Sequence, residues 1–335
     1  MRKNGNKDMK RNRLLICLLA LTAALALCLG LQRTAEAQFT APRLVVSCFL
    51  GDSMTVVDAR TVRIIGNFSV GSNPERLVTS PDNKFLAVAQ PKNSCISIVA
   101  TDNMRYGSNH SDPQILKPID LAFSPDGGRL YVLDAETCSL AELHVPSLNV
   151  IRTLPLNGLG PTCMRISKNG AKMFVGHEET GLITIVDLFA WEVVKQTGVG
   201  PKLGGIALTP DNGRLLVTLP TESQVGIYKT TDLRLLSKVP VGSGAGAVGV
   251  SVKNQVIVLN TISNDVTIFP IDRPTLRFRT AVGVGPRDLC FSPDGTMCYV
   301  ANFNTEDMSV IDVDKGTQLG RLAVGKGPRA ITWVY

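Results

Sequence analysis

Apolar residues in this chain come in short runs. From about residue 40 onward, stretches such as Asp120 to Phe123, Arg129 to Leu133, Val193 to Thr197 and Ser309 to Val313 are rich in Val, Ile and Leu. Gly, Pro, Asn, Asp and Ser separate them. Runs of this length between turn formers predict β-strands, because β-branched and aliphatic side chains suit a pleated surface and the intervening residues suit reversals. No segment past the N-terminal stretch keeps the period of about 3.6 that marks an amphipathic helix. The fold class expected is therefore all-β.

A turn phrase recurs through the strands. Its copies are Ser80-Pro81-Asp82, Ser124-Pro125-Asp126-Gly127, Ser167-Lys168-Asn169-Gly170, Thr209-Pro210-Asp211, Ser251-Val252-Lys253-Asn254 and Ser292-Pro293-Asp294-Gly295. They start 44, 43, 42, 42 and 41 residues apart. Proline presets one turn angle, aspartate bonds back to the backbone and glycine accepts positive φ, so each copy predicts a hairpin tip. Four short strands per repeat of this length is the make-up of a propeller blade.

The innermost strand recurs near Leu77, Leu121, Met164, Ile206, Val248, Leu289 and Ile331, which predicts seven four-stranded antiparallel blades. Leu44 to Ser47 matches the second strand of later blades, whereas Ala330 to Tyr335 matches a first strand with no blade after it. Pairing these terminal strands would close the ring and remove a free sheet edge. Only 11 Phe, 5 Tyr and 2 Trp are available, so small aliphatic residues must fill the space between blades.

The N-terminus has a different character. Six bases fall within the first 13 residues, the apolar run Leu14 to Leu31 follows, and Ala35-Glu36-Ala37 offers a cleavage site before Gln38. This layout predicts an export signal over residues 1–37 and a propeller over 38–335, periplasmic, extracellular or at the cell surface. An uncleaved Leu14 to Leu31 run would instead be a membrane anchor, the one route by which this chain would meet a bilayer. The net charge of +7 shrinks to about +2 once the leader is set aside, which argues against nucleic acid as a partner. Six of the eight cysteines lie beyond the leader, with no CxxC spacing that would suggest zinc or a c-type haem. Cys290 and Cys298 flank one hairpin, but pairing across Asp294-Gly295 sends their sulfurs to opposite faces.

Cys298-Tyr299-Val300-Ala301-Asn302, Ser309-Val310-Ile311-Asp312 and Val324-Gly325-Lys326-Gly327-Pro328 resemble the YVTN β-propeller repeat, with weaker copies such as Val70-Gly71-Ser72-Asn73-Pro74. The resemblance implies a seven-bladed ring of the kind found in surface-layer proteins, periplasmic binding proteins and parts of redox enzymes. Fold alone does not choose among these. No catalytic motif of the related lactonases and lyases matches residue by residue.

Candidate chemistry collects opposite the turn phrases. The ends of the second strands give Cys48, Gln90, Asp134, His177, Leu219, Asn260 and Asn302, six of which could donate, accept or ligate at a channel mouth. Asn and Asp also end strands well, so the series has a purely structural alternative. His177 is joined by Glu178 and Glu179, an arrangement open to metal or general-base work. Arg287 and Arg329 each follow a VGxxP-type proline and match carboxylate and phosphate geometry, with Lys202 at a comparable place. Gly242 to Gly246 precedes a strand rather than a helix, so it is read as packing and not as a phosphate cradle.

With no GxSxG, HExxH or P-loop, the expected function is a non-enzymatic scaffold that presents its channel mouth to a protein or a small polar or anionic ligand. The expected binding set is Asp134, His177, Asn260, Asn302, Arg287 and Arg329, with no catalytic or metal-binding residue and no cofactor assigned. The alternative is a lactonase- or lyase-like enzyme with a divalent metal at that mouth.

Overall fold

A computed structural model describes residues 41–335. The export signal, its cleavage site and the possible anchor lie outside the described residues, among which no helix is long and apolar enough to cross a membrane. Among the described residues, seven four-stranded sheets account for nearly all the secondary structure, together with one short 3-10 turn at Pro91–Asn93. Their first strands are Pro328–Val334, Arg76–Thr79, Pro118–Phe123, Pro161–Ile166, Ile206–Leu208, Ala245–Val250 and Pro286–Phe291, and these define blades 1 to 7 in that order. Each first strand touches those of the blades on both sides, so the seven enclose a central channel.

The ring closes as the sequence predicts. Pro328–Val334 pairs antiparallel with Arg43–Cys48, placing Leu44 opposite Trp333 and Val46 opposite Ile331. Arg43 is buried within the closure, and its guanidinium donates to the carbonyls of Thr101, at 2.6 Å, and Tyr335, at 3.2 Å. The C-terminal residue is thereby tied both to its own sheet and to blade 2.

Five of the six turn phrases fold by one recipe. In the last copy Ser292 Oγ donates to Asp294 Oδ1 at 2.5 Å, and Met297 N donates back to Ser292 Oγ at 2.9 Å. Gly295 takes φ +70°, while in the fifth copy, which lacks proline and glycine, Asn254 takes φ +61°. Asparagine tolerates the left-handed region better than most residues, which is why the shortened turn survives.

Apolar clusters lie between blades rather than at the ring centre. One joins Leu44, Val46 and Ile331 of blade 1 to Tyr299, Ala301, Met308 and Val310 of blade 7. Another joins Ala87, Ala89 and Ile96 of blade 2 to Leu121, Leu130 and Val132 of blade 3. Each fully buried aliphatic side chain contributes roughly 1.5–3 kcal/mol of transfer free energy, so these interfaces bind the ring together and leave the channel free for polar residues. Cys290 pairs with Tyr299 and Cys298 with Phe291, in the predicted register, and all six described cysteines are free thiols.

Candidate functional site at the channel mouth

Two tiers of side chains line the mouth, and the local backbone explains both. In blades 3, 4 and 7 the inner strand opens with a proline followed by a β-bulge: Pro118 pairs with Asp134 and Asp120 with Leu133, Pro161 with His177 and Cys163 with Gly176, and Pro286 with Asn302 and Asp288 with Ala301. The skipped residues are Ile119, Thr162 and Arg287. A bulge re-aims the residue that it leaves unpaired, here towards the channel. Glu75 after Pro74, Gly246 in the bulge of blade 6 and Arg329 in that of blade 1 complete the outer tier together with Gly204. One residue deeper lie Arg76, Asp120, Cys163, Gly205, Ala247 and Asp288. The two tiers enclose a cavity of about 220 Å³.

The lining is lopsided. Thr162, Cys163, Gly204, Gly205, Gly246 and Ala247 make a wall of small residues across blades 4 to 6, and apart from Arg165 of blade 4 the charged residues stand on the other side. Room for a ligand comes from this asymmetry.

A girdle of ion pairs forms the floor. Arg76 reaches Asp120 at 2.9 Å and Asp288 at 3.0 Å, and Arg165 reaches Asp120 at 3.3 Å. The carboxylates are also held by backbone, Asp120 by Met164 N at 2.8 Å and Asp288 by Ile331 N at 3.1 Å. Burial alone would lower the Arg76 pKa, but Asp288 and Asp120 together raise it above the ordinary guanidinium value, so Arg76 stays charged. Cys163 stands beside it, its pKa pushed up to about 11 by burial, and is therefore a neutral thiol at pH 7 rather than a nucleophile.

The rim carries a surplus cation. Arg329 is paired with Glu75, its Nε 2.7 Å from Oε1. Among the described residues no carboxylate lies within ion-pair distance of Arg287, whose guanidinium sits 5.7 Å from the Phe303 ring centroid. Arg329 sits 5.7 Å from Phe49, and the two rings lie 6.3 Å apart. Desolvation and the nearby charge of Arg329 lower the Arg287 pKa, against the weaker pull of Glu75 and Glu178. An anion between the two guanidiniums would remove that repulsion and satisfy donors left open.

The second-strand ends behave differently from the expectation that they face the mouth. Asp134, His177, Asn260 and Asn302 are all fully buried, and none lines the cavity. Each turns into its own blade. Asn302 Nδ2 donates to Ser309 Oγ at 2.9 Å and to Asp307 at 2.7 Å. Asn260 does the same with Thr267 and Asp265, at 2.9 and 2.6 Å. His177 Nε2 lies 2.8 Å from Thr184 Oγ1, Gln90 donates to Ser97 at 2.5 Å, and Cys48 lies 3.4 Å from Thr55. In all five the partner is a hydroxyl seven residues on. Asp134 instead accepts from Lys117 N at 2.6 Å and Thr137 N at 2.8 Å.

In the five blades that carry this pair, a glycine in the loop before the inner strand roofs it. A Cβ added at Gly283 would stand 2.6 Å from Asn302, at Gly242 2.6 Å from Asn260, at Gly158 2.6 Å from His177 and at Gly325 2.5 Å from Cys48. Gly283 N and Gly325 N also donate to Ser309 and Thr55, at 3.3 and 3.2 Å. Glycine, strand end and hydroxyl form a staple that fixes the mouth-side end of a blade. The glycines at 242 and 244 serve such packing, as expected of that stretch.

Lys202 is displaced from the place expected for it. Two extra residues before the inner strand of blade 5 put Gly204 at the rim, and Lys202 pairs outside with Glu178 at 2.9 Å. Burial lowers the His177 pKa despite backbone hydrogen bonding at Gly158 and Leu159, so the ring is neutral at pH 7. Among the described residues no three His, Cys, Asp or Glu side chains stand close enough to share a metal ion. Sequence reasoning missed the girdle residues Asp288 and Arg165; the signal available for Asp288 was an acid next to Arg287 at the start of an inner strand.

The fold has solved counterparts. A chain of hydrazine synthase from Kuenenia stuttgartiensis superposes with a TM-score of 0.73 at 22% identity, covering 81% of this chain and 92% of that one. A functionally unknown protein from Desulfotomaculum acetoxidans DSM 771 superposes with a TM-score of 0.77 at 14% identity, covering 88% and 99%. No protein-family model matches the chain, and no curated protein matches its sequence. At these identities the counterparts are similar in fold alone, and the chain is a seven-bladed, four-stranded antiparallel β-propeller closed by its terminal strands.

Proposed function

We propose that this protein is an exported, non-enzymatic binding scaffold of the YVTN-repeat kind that holds a small anionic group at its channel mouth, between Arg287 and Arg329. The observation that carries the reading is Arg287 itself, a guanidinium aimed into a cavity by a bulge, beside a second guanidinium, with no carboxylate of its own among the described residues. Ligand sites for drug-sized molecules run from roughly 300 Å³ upward, so about 220 Å³ suits a group the size of a carboxylate with a short substituent. The neutral Cys163 thiol supports binding rather than catalysis. Export rests on the basic start, the apolar run and Ala35-Glu36-Ala37.

Titration calorimetry with citrate and with inorganic phosphate tests the site. Charge-assisted hydrogen bonds are worth about 1.5–3 kcal/mol, so Arg287→Ala should weaken binding by about tenfold or more, and the wild-type affinity should fall with added salt. Absence of saturable binding, or equal binding by the variant, would overturn the reading. N-terminal sequencing of the protein from intact cells tests export, with Gln38 expected as the first residue.

A further inference from the structure

The loops around the cavity carry large aliphatic side chains that the fold leaves in water. Leu116, Leu159 and Val284 each stand two residues before the proline that opens an inner strand, and are 43%, 65% and 43% exposed. Leu50 and Ile262, on loops between second and third strands, are 56% and 73% exposed. Ile262 follows Thr261, which lines the cavity, and Leu50 packs near Gly327 and Phe303. All five lie on the mouth side, in blades 1, 3, 4, 6 and 7. They make no contribution to a ligand that fits the cavity alone.

Exposed aliphatic side chains around a cationic pocket fit a protein partner, because interfaces seat apolar anchors around a few desolvated polar groups, and arginine is prominent among the residues that dominate affinity. From this we infer that the mouth docks an acidic, aliphatic segment of another protein, which places one carboxylate between Arg287 and Arg329 and lays its apolar residues on Leu50, Leu159 and Ile262. The inference rests on the anion site proposed above. Charge at the cavity selects the occupant: of the two rim guanidiniums Arg329 is already matched by Glu75 and Arg287 is not, while on the surrounding loops Lys92 and Lys326, and equally Glu136, Glu179 and Glu306, have no ion-pair partner among the described residues. A segment bearing a carboxylate corrects this, and a basic one would worsen it.

Random short peptides with free C termini, displayed on phage, are selected against protein purified after expression of the full chain. Recovered peptides should be enriched in Asp, Glu or a terminal carboxylate beside aliphatic residues. Their affinity should fall about tenfold or more in Arg287→Ala, and also in Leu159→Asp and Ile262→Asp. Val252→Asp is the control, since Val252 is 63% exposed at a turn phrase on the opposite face, and it should bind as wild type does. Peptides without acidic enrichment, or binding untouched by Leu159→Asp and Ile262→Asp, would overturn the docking inference. Citrate binding that still depends on Arg287 would in that case leave the anion site standing, whereas loss of both would remove the two together.

Discussion

A single methyl group can be used to probe the staple. Gly283→Ala places a carbon 2.6 Å from the Asn302 amide and against Thr305, with no slack on either side. Overpacking of this sort costs about 1–3 kcal/mol. Gly320→Ala, in an outer strand with nothing within 4 Å, should change stability by less than about 0.5 kcal/mol. Urea denaturation of both variants checks this, and equal losses would mean that the glycines are not serving as roofs. His177 gives the same staple a pH signature. Its folded pKa lies below the unfolded value of roughly 6.5, so the unfolded chain takes up a proton that the folded one resists. Stability should therefore be independent of His177 above pH ~6.5 and fall as the pH drops from there towards the folded pKa. His177→Gln, which installs the amide that Gln90 already carries at this position in blade 2, should remove that decline in melting temperature. A second loss follows at lower pH. Asp82, Asp126, Asp211 and Asp294 are held below the usual carboxylate range, chiefly by the Ser or Thr hydroxyl of their own turn, so their contribution is complete above pH ~4 and disappears as the pH falls through their folded pKa values.

At the level of the strand and the sheet, closure is the sharpest dependence. Ala330 to Tyr335 supplies Ile331 and Trp333 to the interface with blade 7 and the C-terminal carbonyl to Arg43. Deleting these residues opens a sheet edge in blade 1 and leaves the Arg43 guanidinium buried without that acceptor. The truncated protein should lose its sharp cooperative melt, and calorimetry showing a transition as sharp and as high as that of the intact chain would contradict the closure argument. This element was legible in the sequence, because the turn phrase fixes the repeat phase and the two terminal strands then match complementary positions of one blade. Hairpin register was legible too, which is why the two sulfurs of Cys290 and Cys298 could be assigned to opposite faces. The direction of a strand's last side chain was not. Alternation along a strand places Asn302 at the mouth end, but whether it turns outward or back depends on a missing Cβ across the sheet at Gly283 and on a hydroxyl at Ser309. Both were present in the sequence as the VG glycine and a Ser or Thr seven residues on. Their meaning required the sheet to be assembled.

Over the whole ring, five of the seven blades share the staple, while the rim varies from blade to blade. The residue that follows an opening proline lines the channel, so Glu75, Ile119, Thr162, Arg287 and Arg329 vary on a constant frame. Specificity can then reside in the tier beside the cavity while stability resides in the interfaces between blades. Arg287→Ala should accordingly alter the melting temperature little, and Asp294→Ala, at a turn on the far side, should cost stability without touching affinity. The most direct test is to follow the Arg287 Nε–Hε resonance in protein labelled with ¹⁵N-arginine, assigned by its loss in Arg287→Lys, while citrate is titrated in. Anion binding between the two guanidiniums should give a saturable shift of that resonance and of Arg329, following one binding curve, with Arg43 unmoved in its buried closure. A saturating ligand that leaves Arg287 and Arg329 where they were would contradict it.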